Sequence, residues 1–402
     1  MASTQTTATL TKDMQTYYDN IFLQKARDNM VVAQFADTKT VPLYKGKVVD
    51  FFRRKPIAHT TTAITEGEET ANQTDFSGEN VQATIAHYAQ WSKYSRFVSM
   101  TSRDPELKTL AEEFGITAAH AIDEILMTEV IMRGAVPVRV DELLTTSTWT
   151  RTGVVDTDAL NASNALVDAS INETTDNYWS GAHIALFDEF YTNYGYGGQV
   201  TSFDASSDYI EMSPAAPAAH ASGGGYRMVH GSTLAATDVL TGTAMKYTAA
   251  LANALRFYKW DGGWLHTILC PETHSDLQDD TVYLAVAEYH DSDKTIYNGM
   301  IKSLWGHKFF MGNTPYREGT DGVYSATGTV YCTPTLGRYA FAKVDLAGQG
   351  EPKIIVKSPG PQTTSQPYNE NKTIAYDLYF TGKALNAAFA INTMSGATPV
   401  LR

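Results

Sequence analysis

The chain has 402 residues, of which 43% are hydrophobic and 19% charged, with a formal net charge of -13. That is length for two or three domains, or for one with a large insertion, and apolar content for a sizeable core, so disorder is not the default. The acidic balance excludes tight nucleic-acid binding, which needs an excess of Lys and Arg to replace counterions on phosphates, and two cysteines, Cys270 and Cys332, are too few for a disulfide framework.

Residues 1–12 are polar and are expected to be mobile or to drape over a neighbour. Met1–Leu10 lacks the apolar stretch of a signal peptide, and no run approaches eighteen apolar residues, so synthesis in a cytosol is expected. From Asp13 to Phe35, the spacing of Met14, Tyr17, Tyr18, Ile21, Phe22 and Leu23 predicts an amphipathic helix. Strand signals start at Val41-Pro42-Leu43, and Gly46 opens a second run through Val48, Val49, Phe51 and Phe52.

A long charge-segregated loop follows. Its outgoing side is basic (Arg53, Arg54, Lys55) and its tip is acidic (Glu66, Glu68, Glu69). It returns through an alternating run, Val81–Met100, that reads as strand. A hairpin of this length has no core of its own and is marginal in water, so something outside the subunit is expected to cover it.

Asp104-Pro105-Glu106 then supplies a cap, a first-turn proline and a first-turn acid. Leu107, Leu110, Phe114, Ala118, Ile122 and Ile125 recur at helical spacing, and Arg133-Gly134 closes the element. The predicted helix is roughly 40 Å long, a strut across a domain.

Residues 139–233 hold twelve acids against Arg139, Arg151 and Arg227, whereas residues 1–60 hold nine bases against five acids. Such asymmetry suits parts that meet each other or a charged partner, and equally a solvated acidic surface. Glycines at 195, 197, 198 and 223–225 predict a loop-rich subdomain. A second helix is expected from Thr237-Asp238 through Leu240, Ala244, Tyr247, Leu251, Leu255 and Tyr258. After Gly262-Gly263 the pattern predicts a strand over Trp264–Cys270, a helix over Ser275–Tyr289, and strands at Phe309–Met311, Val330–Tyr331, Tyr339–Val344, Ile354–Val356, Thr373–Phe380 and Ala387–Ile391.

Catalytic signatures are missing: the sequence has no phosphate loop, nucleophile elbow, HExxH or paired CxxC. His266, Cys270 and His274 form the best metal candidate, set against the plainer reading of a half-buried strand with an ordinary buried cysteine. Asp276, Asp279 and Asp280 read as a helix start rather than a calcium loop. No cofactor or catalytic residue is assigned. The cluster Phe51, Phe52, Arg53, Arg54, Lys55 is either a charge-guarded strand edge or, because arginine and aromatics favour interfaces, a contact between subunits. Its expected partner is Glu66, Glu68 and Glu69 of a neighbouring copy.

Several fragments, in order, carry a family likeness: Tyr17-Tyr18-Asp19, Gly46-Lys47-Val48, Phe52-Arg53-Arg54, Ile64-Thr65-Glu66-Gly67, Cys270-Pro271 with Asp276-Leu277, Ile296-Tyr297-Asn298-Gly299 before Trp305-Gly306, and Gly337 to Ala340. Through these the chain resembles major capsid proteins of tailed phages with the Hong-Kong-97-type fold, in the branch of N-four-like podoviruses. The likeness covers roughly residues 10–135 and 235–390, and 139–233 stands outside it as an elaboration.

The resemblance implies an α+β fold in named parts: an N-terminal arm (1–47), an extended loop (48–97), a peripheral domain with the long helix (98–138 and 326–380) and an axial domain (139–325 and 381–402). It implies no enzyme but self-assembly of hexamers and pentamers into an icosahedral head enclosing double-stranded DNA, with weak non-specific DNA contact and no membrane. Portal, scaffolding and decoration proteins are the further partners it implies, and the virion, after synthesis in the host cytoplasm, is the location. Some relatives cross-link a loop lysine to a neighbour, a role that would fall to Lys47 or Lys55, although salt bridging is the expected contact. A nanocompartment shell, a metal-dependent hydrolase and a surface adhesin are the rival readings.

Overall fold

A computed structural model of the chain describes residues 19–54, 78–95, 97, 101, 106–144, 150–156, 160–187, 194–215, 223–231, 234, 237–282, 303–312, 317–318, 330–347, 352–357 and 371–398. The chain divides into two compact units. The first comprises Met1–Val49, Thr84–Met127 and Lys343–Gly382; the second comprises Asp50–Ala83, Thr128–Ala342 and Lys383–Arg402.

In the first unit the organising element is the long helix, Glu106–Arg133, whose 28 residues span about 42 Å. One face is made of small residues, Ala111, Gly115, Ala118 and Ala119, all buried. They let the helix over 19–29 approach closely: a Cβ on Gly115 would lie 2.6 Å from the Phe22 carbonyl oxygen. Phe22, Phe114, Ile354, Ile374 and Tyr376 complete this core. The sheet beneath contains Asp37–Val41, Phe341–Leu346, Asn371–Ala384 and Lys353–Lys357, with Ala86–Ser95 laid antiparallel along Asn371–Phe380. Ile374, Tyr376, Leu378 and Phe380 point inward at the two-residue period of a strand.

Three expectations for this part of the chain change. The first strand is Asp37–Val41, ending before Pro42, because proline cannot donate to a ladder. The helix predicted over Asp13–Phe35 is described from 19, ends at 29, and gives way to a 3-10 turn, Val32–Phe35. The return run divides at Ile85: Gly78–Thr84 pairs with Val48–Arg54 in a two-stranded ribbon, whereas Ala86–Ser95 joins the five-stranded sheet.

The second unit contains two sheets. The seven-stranded one runs Ser303–Leu304, His307–Met311, Leu265–Leu269, Val330–Leu336, Ala390–Ser395, Val136–Arg139, with Arg317–Glu318 beside Val330–Tyr331. It is mixed, and its central strand Val330–Leu336 is buried at every position, as expected of a strand covered on both faces. His307 ties the sheet to the helix Gly242–Ala254: its Nε2 donates to the Met245 carbonyl (3.0 Å), leaving Nδ1 to accept from the Thr267 hydroxyl (2.9 Å). Burial, against that backbone bond, pushes its pKa down to about 4, so the ring is neutral at physiological pH.

Residues 139–233 are more regular than their composition predicts. They build an antiparallel six-stranded sheet in the order Thr150–Val154, Gly225–Val229, His183–Phe187, Tyr194–Asp204, Tyr209–Ser213, Ala165–Val167. Val155, Leu166, Trp179, Phe203, Ile210 and Tyr226 form its own core. Of the glycines that suggested loops, Gly195, Gly197, Gly198 and Gly225 lie inside strands, and Gly223 and Gly224 precede one. Gly198, for one, lets the neighbouring strand close in, since a Cβ there would sit 3.1 Å from the Ser213 carbonyl oxygen.

Both later helices also shift. The first starts at Gly242, capped by the Thr241 hydroxyl accepting from the Ala244 N–H, and its end is marked by Arg256 in a left-handed conformation (φ 55°). Tyr258 is therefore outside it. The second is Pro271–Gln278, begun rather than excluded by Pro271 in the first turn, with Cys270 and Thr273 capping each other reciprocally. Its expected continuation over 283–289 lies outside the described residues.

Candidate inter-subunit surface

The ribbon places the first candidate residues. Val49 is buried and Phe51 half-buried on one face, with Val81 and Ala83 buried on the partner strand. Val48 and Phe52 alternate to the other face, where Phe52 is 58% exposed. An aromatic on the open face of a two-stranded ribbon is stabilising only if something covers it.

Arg53 departs from the expectation that it serves a neighbouring copy alone. Its Nη1 donates to the Gly195 carbonyl of the same unit, and Gly195 makes room for the guanidinium, since a Cβ there would lie 3.1 Å from Nη2. Arg54 ends the strand Val48–Arg54. Lys55, Glu66, Glu68 and Glu69 lie outside the described residues. Lys47 is exposed at the base of the ribbon, its carbonyl accepting from the Ile85 N–H (2.9 Å).

The metal reading of His266, Cys270 and His274 loses its support. Among the described residues no group of three His, Cys, Asp or Glu side chains is placed to hold an ion. His266 stacks on Trp260 (4.7 Å between ring centroids, 9° between planes) and meets Phe310 edge-on (5.0 Å). Burial and then Lys308 push its pKa down to about 4. Cys270 is the buried cap described above. No helix among the described residues is long and apolar enough to cross a membrane.

Sequence reasoning passed over an aromatic surface on the second unit. Tyr258 packs edge-on against Tyr339 (6.3 Å) and Phe389 (5.1 Å), and Arg338 lies over the Tyr339 ring (5.2 Å). Its signal in the sequence is the density of Tyr and Trp between 258 and 264, where the pattern predicts a helix end at Tyr258 and a strand from Trp264.

No protein-family model matches the chain, and neither does any curated protein. Solved structures do. The capsid of Ralstonia phage GP4 aligns over 92% of this chain and 88% of its own, at 12% identity and a TM-score of 0.52. The capsid asymmetric unit of cyanophage Pam1 aligns over 90% and 89% (11% identity, TM-score 0.51). The capsid structure of cyanophage P-SCSP1u aligns over 90% and 87% (9% identity, TM-score 0.50). The fold is accordingly that of phage capsid subunits, a mixed helix-and-sheet architecture of the Hong-Kong-97 type.

Proposed function

We propose that the chain is the major capsid protein of a tailed phage, assembling as hexamers and pentamers into an icosahedral head around double-stranded DNA. One observation carries this reading: the likeness to phage capsid chains runs through 92% of this chain and 88% of the GP4 capsid chain. Because a fold alone does not fix a function, the ribbon matters as independent support, with Phe52 open on a two-stranded element. The role is structural, not catalytic, and places the protein in the virion. The first unit corresponds to the peripheral domain and the second to the axial domain, with the ribbon as the base of the extended loop. Portal, scaffolding and decoration proteins are its further partners, and with a net charge of -13 its contact with DNA is weak and non-specific.

Negative-stain microscopy of the purified full chain tests this, with shells, tubes, sheets or capsomers expected. A chain that stays monomeric under every condition of salt, pH and crowding refutes it, and particles filled with protein cargo rather than DNA in infected cells favour the nanocompartment.

The ribbon gives a sharper expectation. Phe52→Asp should raise the concentration needed for assembly at least about tenfold, the equivalent of ~1.4 kcal/mol per contact, while leaving subunit melting unchanged. Arg53→Glu should weaken both, because it also breaks the bond to Gly195. Light scattering and thermal melting of the two variants separate these effects, and unimpaired assembly by Phe52→Asp would count against the ribbon as a contact.

A further inference from the structure

The aromatic surface of the second unit has the chemistry of a docking site. Two turns build it, 257–264 and 337–340, joined where the Arg338 N–H donates to the Tyr258 carbonyl (2.7 Å) and the Trp260 indole N–H to the Leu336 carbonyl (3.3 Å). Tyr258 is 61% exposed and Tyr339 45%, and Trp264, at the end of the first turn, lines an open hollow of about 170 Å³ with Trp305. Arg256, Trp305 and Tyr339 hold left-handed backbone (φ 55°, 51° and 65°), a conformation that is costly for any residue with a Cβ and that recurs where a surface is built to present side chains. The rim carries Lys259, Lys308 and Arg338, all exposed, together with Asp261, 3.8 Å from Arg338.

The complementary charge is in the same chain. The turn between Tyr194–Asp204 and Tyr209–Ser213 carries Asp204 and Asp208, and Asp176 packs beside it by accepting from the Ala205 N–H (3.0 Å). The Ser206 hydroxyl and N–H donate to the Asp204 carboxylate (2.7 and 2.8 Å) and hold its pKa below the ordinary value. The basic residues of this subdomain are committed to other acids, Arg139 to Asp141, Arg151 to Asp168 and Arg227 to Glu142.

Among the described residues Arg338 pairs with Asp261, and no ion pair joins it or Lys259 to Asp204 or Asp208. Ala185, which pairs with Gly197, shares a cluster with Phe257 and Leu265, and the strand continues seven residues from Gly197 to Asp204, about 23 Å.

We propose, resting on the self-assembly reading, that the Tyr258–Tyr339 patch of one copy receives the Asp204–Asp208 turn of the next. Two different surfaces then meet, so the contact is heterologous and repeats around a ring, as a hexamer or pentamer requires. The aromatics supply the buried area, and the Lys259 and Arg338 charges fix the register.

The test is a charge swap in the full chain, followed by sedimentation velocity across a concentration series. Lys259→Glu with Arg338→Glu, and separately Asp204→Lys with Asp208→Lys, should each raise the half-assembly concentration at least about tenfold. All four substitutions together should restore assembly to within about threefold of the unmodified chain, with the differences shrinking at about 0.5 M salt. Asp208→Cys with Lys259→Cys should form oxidation-dependent oligomers, a readout that stands even if the fourfold variant fails to fold. Normal assembly by both double variants, or an unrescued fourfold variant together with no cross-link, overturns this contact and leaves the capsid reading standing. An unmodified chain that never associates overturns both.

Discussion

Replacing Asp123 by alanine is expected to destabilise the first unit by about 3 kcal/mol or more. The carboxylate is 3% exposed and accepts from three consecutive backbone N–H groups, Val31 (2.7 Å), Val32 (3.2 Å) and Ala33 (3.3 Å). These begin the 3-10 turn Val32–Phe35, whose own N-cap residue, Val31, makes no side-chain cap. The cap comes instead from the long helix, about 90 residues away in sequence. Asp123→Asn keeps one acceptor oxygen and should cost about 1 kcal/mol. Burial raises the Asp123 pKa above 3.8, opposed by the three N–H bonds and by His120. A raised carboxyl pKa means that the folded state binds the proton more tightly. Its contribution is therefore fullest below pH 3.8 and declines as pH rises through the folded value. Urea unfolding of the unmodified chain and Asp123→Asn across that window measures it. An alanine variant within about 0.5 kcal/mol of the parent would show that the turn does not depend on this cap.

How much of this was legible in the sequence depended on the range of the interaction. The long helix was, because its apolar spacing and the Arg133-Gly134 stop are local signals. The ribbon was, through the alternation of Val48 to Phe52. Asp123 was not, since nothing around it distinguishes a long-range cap from a surface acid of a helix. The six-stranded sheet was hidden because most of its strands are short and three of them carry glycine, which makes room for the Tyr226 ring at Gly153, the Arg53 guanidinium at Gly195 and the Ser213 backbone at Gly198. Tyr258 fell in step with Leu251 and Leu255, and only the left-handed Arg256 shows that the chain has already left the helix. The strand Val330–Leu336 runs five residues beyond the predicted Val330–Tyr331 and through Pro334, a residue that cannot donate to a ladder. On one side its ladder is shared between Arg317–Glu318 at Val330–Tyr331 and Leu265–Leu269 at Thr335–Leu336, and Pro334 falls between them.

The second large effect is expected at Asp168, 2% exposed in the six-stranded sheet. It accepts from the Tyr226 hydroxyl (2.6 Å), from the Ser170 N–H (2.9 Å) and hydroxyl, and faces Arg151 at 3.5 Å. Asp168→Ala strands a buried phenol and leaves Arg151 without its carboxylate, and should cost about 3–5 kcal/mol. Tyr226→Phe removes one donor while the acid keeps Ser170 and Arg151, and should cost only about 1 kcal/mol. Burial raises the Asp168 pKa, but Ser170, Tyr226 and Arg151 together outweigh it and the net shift is downward. The sign is opposite to that of Asp123: this stability is present above pH 3.8 and is lost as pH falls through the lower folded value. Acid titration of the melting temperature should therefore show a loss that Asp168→Asn largely removes. Equal costs for Asp168→Ala and Tyr226→Phe would mean that the phenol bond, and not the charge, dominates. Through the proposed contact the site also bears on assembly, because the Asp168 N–H donates to the Asp208 carbonyl (3.3 Å). Loosening Asp168 should loosen the acidic turn, so a folded Asp168→Asn subunit should need more protein to form rings than its melting alone predicts.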